Sequence, residues 1–203
     1  MVKTLQLSVI GPFEAHDADG SAIEFSHRKL RALLAYLALE HGRPQTREQL
    51  ADLLWGRTGN DRARHNLRQA LSKIRSLCPE LIETSGDTVI LNPAACSIDA
   101  VTFETLSQTE DVADLRTALD LYRGELLEGY SSNEPAYQDW LSGARERLRR
   151  RACAVGQRLA SLLREQAHDR DATEVLNRLL QIDPADESAH RALMEIHALA
   201  GRR

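Results

Sequence analysis

Aromatic residues are scarce in this chain: three Phe, two Trp and four Tyr, 4% of 203 residues. Its core must therefore be mostly Leu, Ala, Ile and Val. Cysteine is also rare. Cys78, Cys96 and Cys153 have no metal-ligand spacing and form no even disulfide framework. That usage fits a reducing, cytoplasmic compartment. There is no secretory signal and no apolar run long enough to span a bilayer, so no membrane is expected as a partner. The sequence has no Gly-rich phosphate loop, no paired-histidine metal motif and no nucleophile elbow. His190 and His197 lie seven residues apart, too far to chelate as an i, i+4 pair would, and read as core-edge or surface groups. Cys78 and Cys153 fall on apolar stripes and read as core. No catalytic residue, cofactor site or metal ligand can be nominated, so the chain is not read as an enzyme.

What is present is ordinary in amount and uneven in place. The length suggests one or two domains. The net charge of -4 is not evenly spread. Residues 1–95 hold 12 basic and 11 acidic side chains, or +1, while residues 96–203 hold 14 and 19, or -5. The first half is the better partner for a polyanion, and its positive charge is concentrated on one segment.

That segment is Asn60–Leu77. Leu67, Ala70, Leu71, Ile74 and Leu77 recur at three- and four-residue steps, an apolar stripe on a helical period. The opposite face carries Arg62, His65, Arg68, Gln69, Ser72 and Ser76. Arg64 and Arg75 flank it on one side, Asn66 and Lys73 on the other. From Arg57 to Leu77 there are six basic residues against one acid, Asp61. Arg and Lys neutralise phosphate, and Gln, Ser and Arg can read base edges. A nucleic-acid groove suits such a face; so does plain solvent, since charge runs are usually solvated.

The neighbouring segments favour the groove. Thr4–Val9 alternates as a strand, Gly11-Pro12 breaks it, Phe13 starts a second short strand, and Ala22–Phe25 reads as a third, giving a small antiparallel sheet. Ser26 is a plausible N-cap for a helix from His27 to about His41, buried through Leu30, Leu33, Leu34 and Leu37 and stopped at Gly42. Arg28, Lys29 and Arg31 crowd its first turn and read as exposed, with a phosphate contact as the alternative. Thr46 and Gln49 form a capping box ahead of a short helix with Leu50, Leu53, Leu54 and Trp55 that Gly56 ends. Helix, short helix and basic helix make a tri-helical helix-turn-helix. Leu81–Thr84 and Thr88–Leu91, joined by the three-residue turn Ser85-Gly86-Asp87, form a hairpin placed as a wing. A wing contact with DNA would fall to Thr84, Ser85, Thr88 or backbone amides, and Asp87 counts against close phosphate contact.

After a linker near residues 92–97 the chain turns helical. Asp99 caps a helix from Ala100 to about Leu106, and Val112–Arg123 is a second, with Leu115, Ala118, Leu119 and Tyr122 on one side. Residues 125–133 are a connector. A long helix starts at Pro135 and runs to about His168, its seam marked by Leu141, Leu148, Val155 and Leu162 with Ala144, Ala152 and Leu159. Arg145, Arg147, Arg149, Arg150 and Arg151 form a cationic run on it, read as a solvated face, with contact to DNA or an acidic partner as the alternative. Two helices, about Ala172–Gln181 and Asp186–Ala200, flank Asp183-Pro184 in a tetratricopeptide-like hairpin. The division read from the sequence is a winged helix-turn-helix domain over 1–95 and a helical domain over 96–203.

In order, the stretches LLAYLALEHGRPQTREQLADLLW, RARHNLRQALSKIRSLCPELI, SIDAVTFETL and LDLYRGELLEGY, and the terminal hairpin, resemble the bacterial antibiotic-regulatory-type (SARP-type) transcriptional activators. These join an OmpR-type winged helix, a phosphorelay-type output domain, to a bacterial transcriptional activator domain. Asn66-Leu67-Arg68-Gln69-Ala70-Leu71 is the most specific match. The resemblance implies an α+β winged helix with a small antiparallel sheet and wing hairpin, joined to an all-α tetratricopeptide-like domain. It implies sequence-specific binding to repeated sites in double-stranded DNA near promoters, contact with RNA polymerase, and a homodimer on DNA. It places Arg62, Arg64, His65, Arg68, Gln69, Ser72 and Arg75 on the reading helix, and the flanking Lys73 joins them as a DNA-contact candidate from the helix face itself. The family's activator domain runs further than Arg203, so the chain is expected to be a fragment of a longer protein. The same two modules also stand at the front of larger proteins with ATPase or nucleotide-cyclase domains. A protein-docking module without DNA binding is therefore the alternative, and the net negative charge suits it.

Overall fold

The computed structural model describes residues 5–199 and 201. Its elements are, in chain order, β1 (Leu5–Ser8), β2 (Glu14–His16), α1 (Arg28–Leu39), β3 (Gln45–Thr46), α2 (Arg47–Trp55), α3 (Asn60–Leu77), β4 (Ile82–Ser85), β5 (Thr88–Leu91), β6 (Cys96–Ile98), α4 (Asp99–Leu106), α5 (Val112–Leu121), α6 (Pro135–Glu165), α7 (Asp169–Ile182) and α8 (Glu187–Leu199). They pack as two compact units. The first takes the residues up to Thr102 together with Glu125–Ala144, and the second takes Phe103–Gly124 and the residues from Arg145 onward. The units do not follow the linear division at residues 95 and 96, because the connector and the first turns of α6 pack with the N-terminal elements.

In the first unit, β1 pairs antiparallel with β2 through Gln6–His16, Leu7–Ala15 and Ser8–Glu14. Thr4, expected to open β1, lies outside the described residues. The expected third strand, Ala22–Phe25, is not one: it makes a single bridge, Ala22 to His16. The Asp17 carboxylate holds the loop before it, accepting the amides of Asp19 at 3.0 Å and Ser21 at 2.9 Å. The third strand of the sheet is β6, parallel to β1 in the register Leu5–Cys96, Gln6–Ser97 and Leu7–Ile98. Asp99, expected as an N-cap, is the first residue of α4. Its carboxylate reaches across the sheet to the amides of Val9 at 2.9 and 3.0 Å and Ile10 at 3.0 Å, as well as to Ala100 at 2.7 Å.

The three helices follow. Ser26 does not cap α1; the N-cap is His27, which makes no side-chain cap bond. The helix buries Leu30, Leu33, Leu34 and Leu37 as expected, and Gly42 (φ 73°) takes the left-handed conformation beyond the C-cap Glu40. The capping box forms: Gln49 N donates to Thr46 Oγ1 and Thr46 N to Gln49 Oε1, both at 3.2 Å. A 3₁₀ turn, Gly56–Thr58, joins α2 to α3. The β4–β5 hairpin is closed by two residues rather than three, since Ser85 pairs with Thr88 and only Gly86 (φ 55°) and Asp87 lie between. A third strand, β3, pairs with β5 and makes the wing a three-stranded sheet in the order β3-β5-β4.

The connector is part of this unit's core. Leu126 and Leu127 are buried, Leu127 N donates to Val9 O and Gly11 N to Glu125 O, each at 2.9 Å. Four of the nine aromatics gather around the start of α6. Tyr137 is buried, donates its hydroxyl to Ala32 O at 3.0 Å, and has rings of Trp140 and Tyr130 at 5.0 and 5.8 Å; Tyr36 of α1 lies 5.0 Å from Trp140.

In the second unit, α5 buries Leu115, Ala118 and Leu119, α7 buries Ala172, Val175, Leu176 and Leu179, and α8 buries Ala189, Leu193 and Ile196. Leu148, Ala152, Val155 and Leu159 of α6 are buried as read, but at the end of the seam Leu163 is buried and Leu162 only half-buried. A straight helix drifts about 20° per seven residues, so a strict heptad reading slips by one position over so long a helix. At Gly156 an added Cβ would meet Leu179 Cγ at 2.8 Å, which marks a close approach of α6 and α7. The cationic run is largely paired: Arg149 meets Glu146 at 3.1 Å and Asp183 at 3.0 Å, Arg150 meets Glu146 at 3.5 Å, and Arg151 donates to Ser107 at 3.2 Å. Asp183-Pro184 lies between α7 and α8 as expected; Ala200, the expected end of α8, lies outside the described residues. Cys78 and Cys153 are half-buried rather than core, and Cys96 is buried.

Candidate nucleic-acid interface

The candidate interface is α3 and what frames it. The helix begins after Gly59, whose φ of 80° strains any L side chain, and it has no side-chain cap. Ala63, Leu67, Ala70, Leu71 and Ile74 are buried, which fixes the rotation of the helix and turns the other residues outward. Asp61 in the first turn and Arg75 in the last match the helix dipole.

Arg62, Arg64, His65, Arg68, Gln69, Ser72 and Lys73 are all exposed on α3, and Arg75 is half-buried. Four of them have side-chain partners. Gln69 Nε2 lies 2.8 Å from His65 Nε2, which fixes the amide one turn along from the imidazole. Arg64 makes a 3.6 Å ion pair with Glu48 at the start of α2. Arg75 Nη2 donates to Thr84 Oγ1 at 2.8 Å, tying the last turn of α3 to β4. Arg62, Arg68 and Lys73 make no ion pair with any described residue. Of the wing residues, Thr84 and Ser85 are exposed, while Thr88 is half-buried and donates to Ser85 O at 2.8 Å. Asp87 O accepts the amide of Arg47 at 2.8 Å, which holds the wing turn beside α2.

A hollow lies on each side of the α3 ridge. One is bounded by the start of α1 (His27, Arg28, Lys29), Trp55 and, on α3, Gln69 and Lys73. The other is bounded by Arg47, Glu48, Arg64, Arg68 and Asp87. The chemistry of the whole surface is that of a cationic, amide- and hydroxyl-bearing ridge.

Of the basic residues of α1, Arg28 is exposed as read, while Lys29 and Arg31 are half-buried. Lys29 Nζ donates to Leu54 O, lies 3.3 Å from Glu134 Oε1 and sits 5.8 Å over the Trp55 ring. Arg31 Nε donates to Phe25 O at 2.6 Å. Arg28 is exposed but held, donating to Ser131 O at 3.0 Å with its guanidinium 5.1 Å from the Tyr130 ring centre. The hub is Glu134, 7% exposed, which accepts from Lys29 and, at 3.2 Å, from the amide of Arg57 in the 3₁₀ turn before α3. Sequence reasoning missed Glu134, since one acid before a helix-opening proline carries no signal of burial.

Among the described residues no group of His, Cys, Asp and Glu side chains is arranged to hold a metal ion. No helix among them is long and apolar enough to cross a membrane.

Comparison with known proteins gives three findings. The bacterial transcriptional activator domain matches residues 100–203. Regulatory protein AfsR of Streptomyces coelicolor is 31% identical over 138 residues, 62% of this chain and 14% of that protein. The chain thus corresponds to a small part of the curated relative it matches. The structure of Mycobacterium tuberculosis EmbR in complex with a low affinity phosphopeptide is similar with a TM-score of 0.73 and 19% identity, over 98% of this chain and 56% of that one. This likeness is one of fold: a winged helix with a small sheet followed by a tetratricopeptide-like helical part.

Proposed function

The chain belongs to the bacterial transcriptional activator domain family, and from that premise we propose that it is a DNA-binding transcriptional activator. The observation that carries the DNA-binding part is the two-sidedness of α3. Its apolar stripe is buried, and Arg62, Arg64, His65, Arg68, Gln69, Ser72 and Lys73 are all exposed on the other side. In this reading α3 enters the major groove, where Arg68 and Gln69 read base edges while Arg62, Arg64, Lys73 and Arg75 neutralise phosphates. The exposed wing residues Thr84 and Ser85, with Thr88 behind them, follow the backbone.

The remaining parts rest on the family. The winged helix of residues 1–95 supplies DNA binding, and the helical residues 96–203 supply activation. The partners are double-stranded DNA carrying repeated sites and RNA polymerase, with two copies of the chain on the DNA. The protein acts in the cytoplasm and catalyses no reaction.

The test is binding to the duplex upstream of its own coding sequence against a scrambled duplex, titrated with salt. The expected result is selective binding that weakens steeply with salt. Arg68→Ala or Gln69→Ala should cost about 1–3 kcal/mol on the specific site alone. Equal, weak binding to both duplexes would refute the reading.

A further inference from the structure

We propose that His65 positions the Gln69 carboxamide, and that Gln69, so held, selects adenine. The proposal rests on the DNA-binding reading above and adds the base that is read and the residue that sets the reader.

The first argument is placement. The buried stripe of α3 fixes the rotation of the helix. At 3.6 residues per turn, His65, Gln69, Ser72 and Ser76 point most directly away from that stripe, and all four are exposed. The cations Arg62, Arg64, Arg68 and Lys73 stand to either side of this crest. Ser76 Oγ is turned back to Lys73 O at 2.8 Å, which leaves His65, Gln69 and Ser72 at the crest to meet base edges.

The second argument is hydrogen bonding. Gln69 Nε2 lies 2.8 Å from His65 Nε2, one turn earlier on the same helix. An amide nitrogen only donates, so the imidazole Nε2 accepts and the ring carries its proton on Nδ1. The amide nitrogen has two hydrogens. The one on the stem side turns back to His65, and the one beside Oε1 points outward with it. Gln69 Oε1 bonds to no described residue. The outward edge is therefore one acceptor beside one donor. Adenine presents the complement in the major groove, its N6 amino donor beside the N7 acceptor. Guanine presents two acceptors there, N7 and O6, and matches only half of that edge.

The third argument is preorganisation. An unheld glutamine amide turns over and offers donor and acceptor in either order. With the proton on Nδ1, a turned amide would set Oε1 against the lone pair of His65 Nε2. His65 thus removes the wrong order before DNA arrives, and less side-chain freedom is lost on binding.

The experiment lets the parent chain and Gln69→Ala select duplexes from a randomised pool. The expected result is a position where the parent holds adenine and Gln69→Ala holds no base. Parent and variants are then titrated on the selected duplex and on its three single-base changes at that position. The parent should prefer adenine by about 5- to 150-fold. His65→Ala should weaken the adenine duplex by about 2- to 12-fold, the cost of ordering one loose side chain. His65→Gln, whose own Oε1 can accept the same bond, should restore most of that loss. In a Gln69→Ala background, His65→Ala should cost nothing more, since its effect passes through the missing amide. An equal loss in both backgrounds would mean that His65 touches DNA itself and would overturn its positioning role. Guanine at the position, or a preference that survives Gln69→Ala, overturns the adenine assignment; Arg68→Ala still weakening the selected duplex then leaves the DNA-binding reading standing. If the parent selects no duplex from the pool, both fall.

Discussion

Replacing Glu134 with Ala should loosen the first unit by about 2–3 kcal/mol, a figure that follows from what its carboxylate touches. The side chain is 9% exposed, faces Lys29 Nζ at 3.3 Å and accepts the Arg57 amide at 3.2 Å. Breaking a fully buried ion pair costs about 3–5 kcal/mol. Lys29 is 33% exposed and keeps its bond to Leu54 O, so its ammonium can rehydrate and the cost falls below that range. The orphaned Arg57 amide adds a desolvation penalty of about 1–3 kcal/mol, part of which water relieves. Glu134→Gln keeps the shape and one acceptor and should cost about 1 kcal/mol. The chain has two tryptophans, Trp55 and Trp140, and both belong to the first unit, so tryptophan fluorescence in urea follows that unit by itself. At slopes of about 1–3 kcal/mol per molar urea, Glu134→Ala should lower the midpoint by roughly 1 M. A Lys29→Met/Glu134→Ala double-mutant cycle should show coupling well above the roughly 0.5 kcal/mol expected of independent sites. An unmoved midpoint, or additive single variants, would refute the account of Glu134 as the hub. Because the Arg57 amide precedes α3, Glu134→Ala should also weaken DNA binding more than its stability loss alone explains.

Gly156→Ala should destabilise the second unit by about 1 kcal/mol, read as a lower midpoint of the helical circular-dichroism signal: the new methyl would meet Leu179 Cγ at 2.8 Å, an overpacking cost that exceeds the helix-propensity gain. An unchanged or raised midpoint would mean that α6 and α7 separate easily there. Burial pushes the Cys96 thiol from 9.0 up to about 11, so the folded chain keeps a proton that the unfolded chain releases. Its contribution is therefore undiminished below pH 9 and is lost as pH rises toward about 11. Stability measured across that window should fall more for the parent than for Cys96→Ala; parallel curves would contradict the raised thiol.

How much of this was legible in the residues depends on how local the cause is. The bounds of α3 follow from its period, and they came out as read, Asn60–Leu77, because four of the five stripe residues are buried and the last, Leu77, is half-buried. The Thr46–Gln49 box is likewise local chemistry and forms as read. Pairing across long separations was not legible. β6 replaces Ala22–Phe25 as the third strand because its partner lies about ninety residues upstream, and nothing in Cys96-Ser97-Ile98 names β1 as that partner. The exposed face of α3 could be read from spacing alone. The ties of Lys29, Arg31 and Arg75 could not, since a cation's partner is set by the fold and not by its neighbours in sequence.

The linear boundary near residue 95 is where that difference matters most. Seen along the chain, a basic helix-turn-helix and wing precede a helical half, and a cut between them looks clean. In space, β6 completes the sheet of β1 and β2, and Leu126, Leu127, Tyr137 and Leu141, all contributed from beyond the wing, are buried in the same unit. A chain ending at Ile98 would keep every residue of α3, yet expose the places those four side chains fill. At about 1.5–3 kcal/mol for each large apolar side chain, the loss is comparable with the whole stability of a small domain, about 5–15 kcal/mol. Such a chain should show no cooperative unfolding and bind DNA only weakly, while one that also retains residues 125–144 should recover both. If the short chain unfolded cooperatively at the parent's midpoint, the winged helix would be self-sufficient and the connector merely a passenger on its surface. The return of the chain at residue 125 is thus the step that gives α3 a rigid base.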